Sequence, residues 1–170
     1  FPVESWRRGY ANVSGGSIFN PGITKTGSGS LQFMYLTNSY TGPTLVEQGM
    51  LHVSGGVSPL GATNAGTTVA NNAELYLENV NLDAEALTLN GSGFTVLEFR
   101  GSNVCSGPIT LNGDCRMSNQ DWFGETHDLT FSGAISGTGS LRKTGNGNLR
   151  FTGFGGNTFT GGLFCQEGWT

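Results

Sequence analysis

Residues 141–168 read LRKTGNGNLRFTGFGGNTFTGGLFCQEG, and residues 23–49 read ITKTGSGSLQFMYLTNSYTGPTLVEQG. Lys25/Lys143, Thr26/Thr144, Gly27/Gly145, Gly29/Gly147, Leu31/Leu149 and Phe33/Phe151 all stand 118 positions apart. After a one-residue insertion, Asn38/Asn157, Thr41/Thr160, Gly42/Gly161 and Gly49/Gly168 keep the match at 119. So much agreement in spacing marks a duplication, and internal repeats decide a fold before any local propensity does. A shorter echo runs from Ser106 to Gly113 and resembles Thr41 onward. The chain therefore holds one full period and about a third of the next: copy one over about 16–132 and a partial copy over about 133–170.

Between the echoes the pattern has period 2. Leu31 and Phe33, Leu75 and Leu77, Leu87 and Leu89, Ile109 and Leu111, Leu129 and Phe131, and Leu149 and Phe151 alternate with small or polar residues. Such runs read as half-buried strands of four to six residues. Gly-Ser-Gly, Asn-Gly and Gly-Asn-Gly interrupt them and supply the positive φ that tight corners need. Residues 71–89 have some helical composition, yet their apolar positions follow alternation, so they too read as strands.

Composition agrees. The chain has 170 residues, of which 29 are Gly, 15 Ser, 19 Thr and 15 Asn, against only 8 basic and 12 acidic side chains. That excludes helical bundles and coiled coils, which need Ala, Glu, Lys and Leu in quantity. Gly does not recur at every third position, which excludes collagen. A net charge of −4 lacks the footprint of a nucleic-acid binder, and 18 aromatic residues argue against disorder. No apolar run is long enough for a membrane-spanning helix. An all-β domain with many tight turns remains, expected outside the cell or on its surface.

A sandwich is the ordinary expectation for such a chain, but a β-solenoid explains the self-similarity better. Each rung buries one face of its strands against its neighbours. Rows of Thr, Ser and Asn stack in register, and low charge avoids like charges about 4.8 Å apart. At about 20 to 25 residues per rung, the chain makes roughly seven rungs, with no helix of consequence.

The run from Gly133 to Leu149, followed by Asn157 to Gly162, resembles the autotransporter-associated β-strand repeat of bacterial passenger domains. Residues 22–42 are a second match, with Met34-Tyr35-Leu36 in place of the usual small residues. The resemblance implies a right-handed parallel β-helix, secretion across the envelope and a place on the cell surface or in the matrix. It implies no catalytic residues and no cofactor. Family members end in a membrane barrel, whose long alternating strands are not found here. The 170 residues stop in mid-rung and lack evident caps. They read either as an excerpt of a longer passenger or adhesin, or as a subunit whose open ends bind each other.

The second alternative gives the leading expectation, a structural subunit that assembles head-to-tail into extracellular fibres. Residues 1–14 would form a docking arm and 15–170 the solenoid. The candidate interface is Phe1, Trp6, Arg7, Arg8 and Tyr10 at one end, with Phe164, Cys165, Glu167 and Trp169 at the other. Partners are then copies of the chain itself, with surface glycans as a further candidate.

A carbohydrate-binding or carbohydrate-cleaving β-helix is the contrasting class, but the acidic residues form no paired motif of the kind glycoside hydrolysis uses. Asp121 to Asp128 (DWFGETHD) is the one cluster of acid, aromatic and His, and it reads as a protruding loop. His52 and His127 lie far apart and read as structural. Gly-x-Gly strings at 27, 91, 137 and 145 precede no helix and read as corners, not phosphate loops. Cys105, Cys115 and Cys165 fit no zinc spacing, and a Cys105–Cys115 disulfide is an open alternative to free thiols. Asn12 and Asn90 fit the glycosylation acceptor pattern. No metal site is expected.

Overall fold

A computed structural model describes residues 2–4, 10–14, 22–56, 58–119, 127–153 and 156–166. Among these the chain is all-β, a parallel solenoid of about six turns, close to the seven expected. The first face stacks β1 (Pro2–Glu4), β3 (Ile23–Thr26), β5 (Thr44–Val46), β7 (Thr67–Val69), the leading halves of β10 (Leu87–Arg100) and β12 (Ile109–Ser118), and β14 (Ile135–Gly137). The second stacks β2 (Tyr10–Ser14), β4 (Ser30–Met34), β6 (Gly49–Ser54), β8 (Ala73–Glu78), the trailing halves of β10 and β12, β15 (Ser140–Thr144) and β17 (Leu163–Cys165). The third is a separate sheet of β9 (Asn81–Leu82), β11 (Ser102–Cys105), β13 (Asp128–Phe131) and β16 (Asn148–Phe151).

Alternation becomes stacking through the register. Leu31 lies beside Leu51, Leu51 beside Leu75 and Leu75 beside Leu97. Phe33, Val53, Leu77 and Phe99 form the parallel row. All eight are buried, while the residues between them face outward. Each apolar row thus has its own kind above and below, and burying one such side chain contributes about 1.5–3 kcal/mol.

Polar rows stack outside. Thr68, Thr88, Thr110 and Ser136 occupy successive rungs of the first face. Asn112 donates from Nδ2 to Asn90 Oδ1 at 3.0 Å, and Asn90 Nδ2 donates to Val69 O at 3.2 Å.

The corner after the second face is a column of left-handed residues. Tyr35, Gly55, Asn79, Gly101 and Gly145 have φ of 55°, 60°, 53°, 68° and 78°. A Cβ on Gly145 would meet the Asn119 carbonyl oxygen at 2.0 Å, so both backbone conformation and space select glycine there.

Part of the stretch expected to form a docking arm is strand: Pro2 pairs with Thr24 in β1 and Tyr10 with Ser30 in β2, so both strands stack on the solenoid. Of the two alternatives left open for Cys105 and Cys115, the structure shows free thiols. Cys105 is a buried free thiol in the third-face sheet, and Cys115 is a buried free thiol on the second face, bonded to the Leu89 carbonyl at 3.2 Å. Burial pushes the Cys105 thiol up to about 12, which withholds the thiolate that disulfide chemistry needs.

Candidate functional site

The duplicated motif has a structural task. Lys25 is fully buried at the end of β3, and its Nζ donates to the carbonyls of Thr26 (2.9 Å), Gly27 (2.7 Å) and Gln48 (2.9 Å). Three donors meet three corner oxygens, two on its own rung and one on the next. Gly49, at φ 65°, leaves the ammonium room, since a Cβ there would stand 2.9 Å from Nζ. Burial lowers the Lys25 pKa. Lys143 repeats the arrangement: it is buried in β15, and its Nζ donates to the Gly145 carbonyl. Gly27 and Gly145, the matched glycines, share the left-handed conformation at φ 74° and 78°.

The two copies nevertheless occupy different corners. Lys25 turns the chain from the first face (β3) to the second (β4), whereas Lys143 turns it from the second (β15) to the third (β16). A separation of 118 residues carries the motif through five rungs and one further face. The repeat therefore specifies a local strand–corner–strand unit and not a fixed place in the rung. Sequence comparison exposed the matched lysines, but only the register reveals that they are buried caps.

The outer side of the second face carries the densest chemistry among the described residues. Glu74, Tyr76 and Glu78 project from β8, with Ala73, Leu75 and Leu77 buried between them. His52 Nε2 lies 3.0 Å from Glu78 Oε2, and Arg100 Nη1 lies 3.8 Å from Glu78 Oε1. The His52 and Tyr76 rings are in tilted contact, with centroids 4.4 Å apart and planes 46° from parallel. Further along, Arg142 Nε meets Asp114 Oδ2 at 3.4 Å, and Arg142 lies over the Phe164 ring at 4.9 Å. Opposite charges on neighbouring rungs relieve the repulsion that stacking identical residues would create.

One pair departs from this rule. Glu74 and Glu98 share a hydrogen bond, and burial, then Glu98, raises the Glu74 carboxyl to about 8. Glu74 Oε1 is buried without a partner. It borders an open groove of ≈ 690 Å³, shared with Ser28, Ser30, Met50, Asn72 and Thr95. Carboxyls in direct hydrogen-bond contact are closer than the ~5–9.5 Å separation used by glycosidases, so this pair does not have their geometry. A sequence scan for paired acids could not find it, because the two meet only through rung register.

Other sequence candidates are placed as follows. Phe164 and Cys165 are exposed on β17, whose neighbour is β15. Tyr10 and Asn12 lie in β2. Phe1, Trp6, Arg7, Arg8, Glu167, Trp169 and residues 121–126 lie outside the described residues. Asn90 is held in the asparagine ladder by both ends of its amide. His127 is buried and accepts the Gly101 N–H at Nδ1, 3.0 Å away, as a structural histidine does. Among the described residues no three His, Cys, Asp or Glu side chains gather as a metal cluster.

The passenger-associated-transport-repeat family model matches residues 23–53 and 141–168. Those segments contain both lysine-capped corners. No curated protein and no solved structure matches the chain. Two segments of the chain are similar to the passenger-associated-transport repeat and lie on a parallel β-solenoid, in keeping with the β-helix repeats of autotransporter passengers.

Proposed function

We propose that this chain is a structural, non-enzymatic segment of a surface passenger, a stalk that holds and displays outward-facing side chains. The observation that supports this most directly is the pair of passenger repeats, each ending a strand in a lysine-capped corner. A continuous stack of buried rows with few open charges suits a rigid extended scaffold. The outer side of the second face, with Tyr76, His52 and the ion-paired rungs, is the surface such a stalk presents. Antibody labelling and proteinase treatment of intact source cells test this reading. Labelling and cleavage without permeabilisation are expected, and detection only after lysis would contradict it.

A second reading, end-to-end self-association, is favoured by one observation. Leu163, Phe164 and Phe151 are 48%, 45% and 39% exposed, a concentration of apolar surface on β16 and β17. Sedimentation over a concentration series tests it. Growth of end-to-end species that Leu163→Asp abolishes supports association, and a monodisperse monomer throughout argues for the stalk alone.

A further inference from the structure

Inside the solenoid, where the third face turns back to the first, lies a carboxylate that nothing above employs. Glu85 is 3% exposed. Its Oε1 accepts a hydrogen bond from Thr67 Oγ1 at 2.7 Å, and its Oε2 is buried without a partner. The nearby hydroxyls are engaged elsewhere: Tyr40 Oη is 2.6 Å from Thr44 Oγ1, which donates to the Leu60 carbonyl at 3.3 Å. Beside Glu85 is a cavity of ≈ 10 Å³, lined in part by Ser58, Leu60, Thr63 and Asp83. That volume admits about one water-sized body.

We propose that this corner is a binding site for a single hard cation, with calcium as the probe. A buried carboxylate with one unsatisfied oxygen costs several kcal/mol unless something neutralises it. A proton on Oε2 removes the charge but leaves an O–H donor with no acceptor; a cation satisfies charge and lone pairs together. The polar residues that line the cavity are Ser58, Thr63, Asp83 and Glu85, whose side chains carry only oxygen donors, and no Lys, Arg or His is among its lining residues. Oxygen-only donor sets select hard ions such as Ca²⁺ over soft ones. Asp83 is exposed, so the cavity has a polar way in and a route for water to complete the coordination. Two carboxylates with hydroxyls belong to the weak class of calcium sites, with Kd of about 10⁻⁴–10⁻³ M. Burial raises the Glu85 carboxyl to about 7, so cation loading competes with protonation and strengthens as pH rises. The other titratable groups facing this region are Asp83 and the Tyr40 phenol, itself pushed well up by burial.

The test is calorimetric titration of chelator-treated protein with CaCl₂ at pH 8 and pH 5.5, paired with thermal melting. At pH 8 one saturable equivalent is expected, with a Tm rise of about 2–4 °C at ~5 mM Ca²⁺. Both effects fade at pH 5.5, vanish in Glu85→Gln and weaken in Asp83→Asn. If Glu85→Gln fails to fold, Asp83→Asn carries the comparison. No saturable heat at pH 8 up to ~10 mM would overturn the proposal and leave the corner to a proton or a water. A response of equal size in the wild type and in the variants would also overturn it, by moving the binding elsewhere, as to Glu74 and Glu98.

Discussion

At the scale of single residues, the buried charges define what holds the solenoid in register. Lys25 satisfies three carbonyls at once, and its replacement by Met keeps the apolar stem but orphans them. Each orphaned buried group costs about 1–3 kcal/mol, less where water reaches the corner. Lys25→Met is therefore expected to lower unfolding free energy by about 2–4 kcal/mol in urea titrations. Arg does not restore it, because its planar fork cannot fit a pocket made for a point charge.

Glu74 and Glu85 make stability depend on pH in a defined direction. Their folded-state pKa values, about 8 and about 7, lie above the ordinary value of 4.5. The folded state therefore holds protons that the unfolded chain has released. The stabilisation is fully present below about pH 4.5 and is lost as pH rises through 7 and 8, a change on the order of a few kcal/mol. Melting in chelator from pH 5 to pH 9 should show a falling Tm, and Glu74→Gln should flatten its upper part. A Tm that rises across this range contradicts the assignment.

Element-scale features were the most readable from sequence. Strands with period 2, corners rich in Gly and the absence of helix over 71–89 all follow from alternation and turn chemistry. They appear as expected in β8, β9 and β10. Less readable was what depends on register. Glu74 and Glu98 stand 24 positions apart and meet only because Leu75 aligns with Leu97. The sequence does not mark Lys143 as buried, since charged residues rarely sit in cores; its burial follows from the corner carbonyl of Gly145 that it caps. The N-terminal strands were missed because Pro2-Val3-Glu4 has too few residues to show a period. Corner glycines give this scale its prediction. Gly145→Ala combines a left-handed φ with a 2.0 Å approach to a backbone oxygen, while Gly156→Ala meets nothing within 4 Å. The first should cost about 1–3 kcal/mol and the second less than about 0.5 in denaturant unfolding. Equal effects would show that the corner geometry is wrong.

For the whole molecule, the relation between repeat and rung is the central claim. A motif tied to the rung would recur at the same corner; this one recurs one face further round, from the β3–β4 corner to the β15–β16 corner. A solenoid built this way distributes its lysine caps around the axis instead of along one edge. The register makes the consequence measurable, because Thr130 and Arg150 are direct partners on the third face. Neighbouring parallel strands hold Cα atoms within disulfide reach, about 4.4–6.8 Å. In a Cys165→Ser background, Thr130→Cys with Arg150→Cys should oxidise quantitatively to an intramolecular disulfide. Arg116→Cys with Arg150→Cys, which lie on different faces, should stay reduced. Cross-linking of the Arg116 pair in place of the Thr130 pair would put the second repeat on the second face and contradict the account.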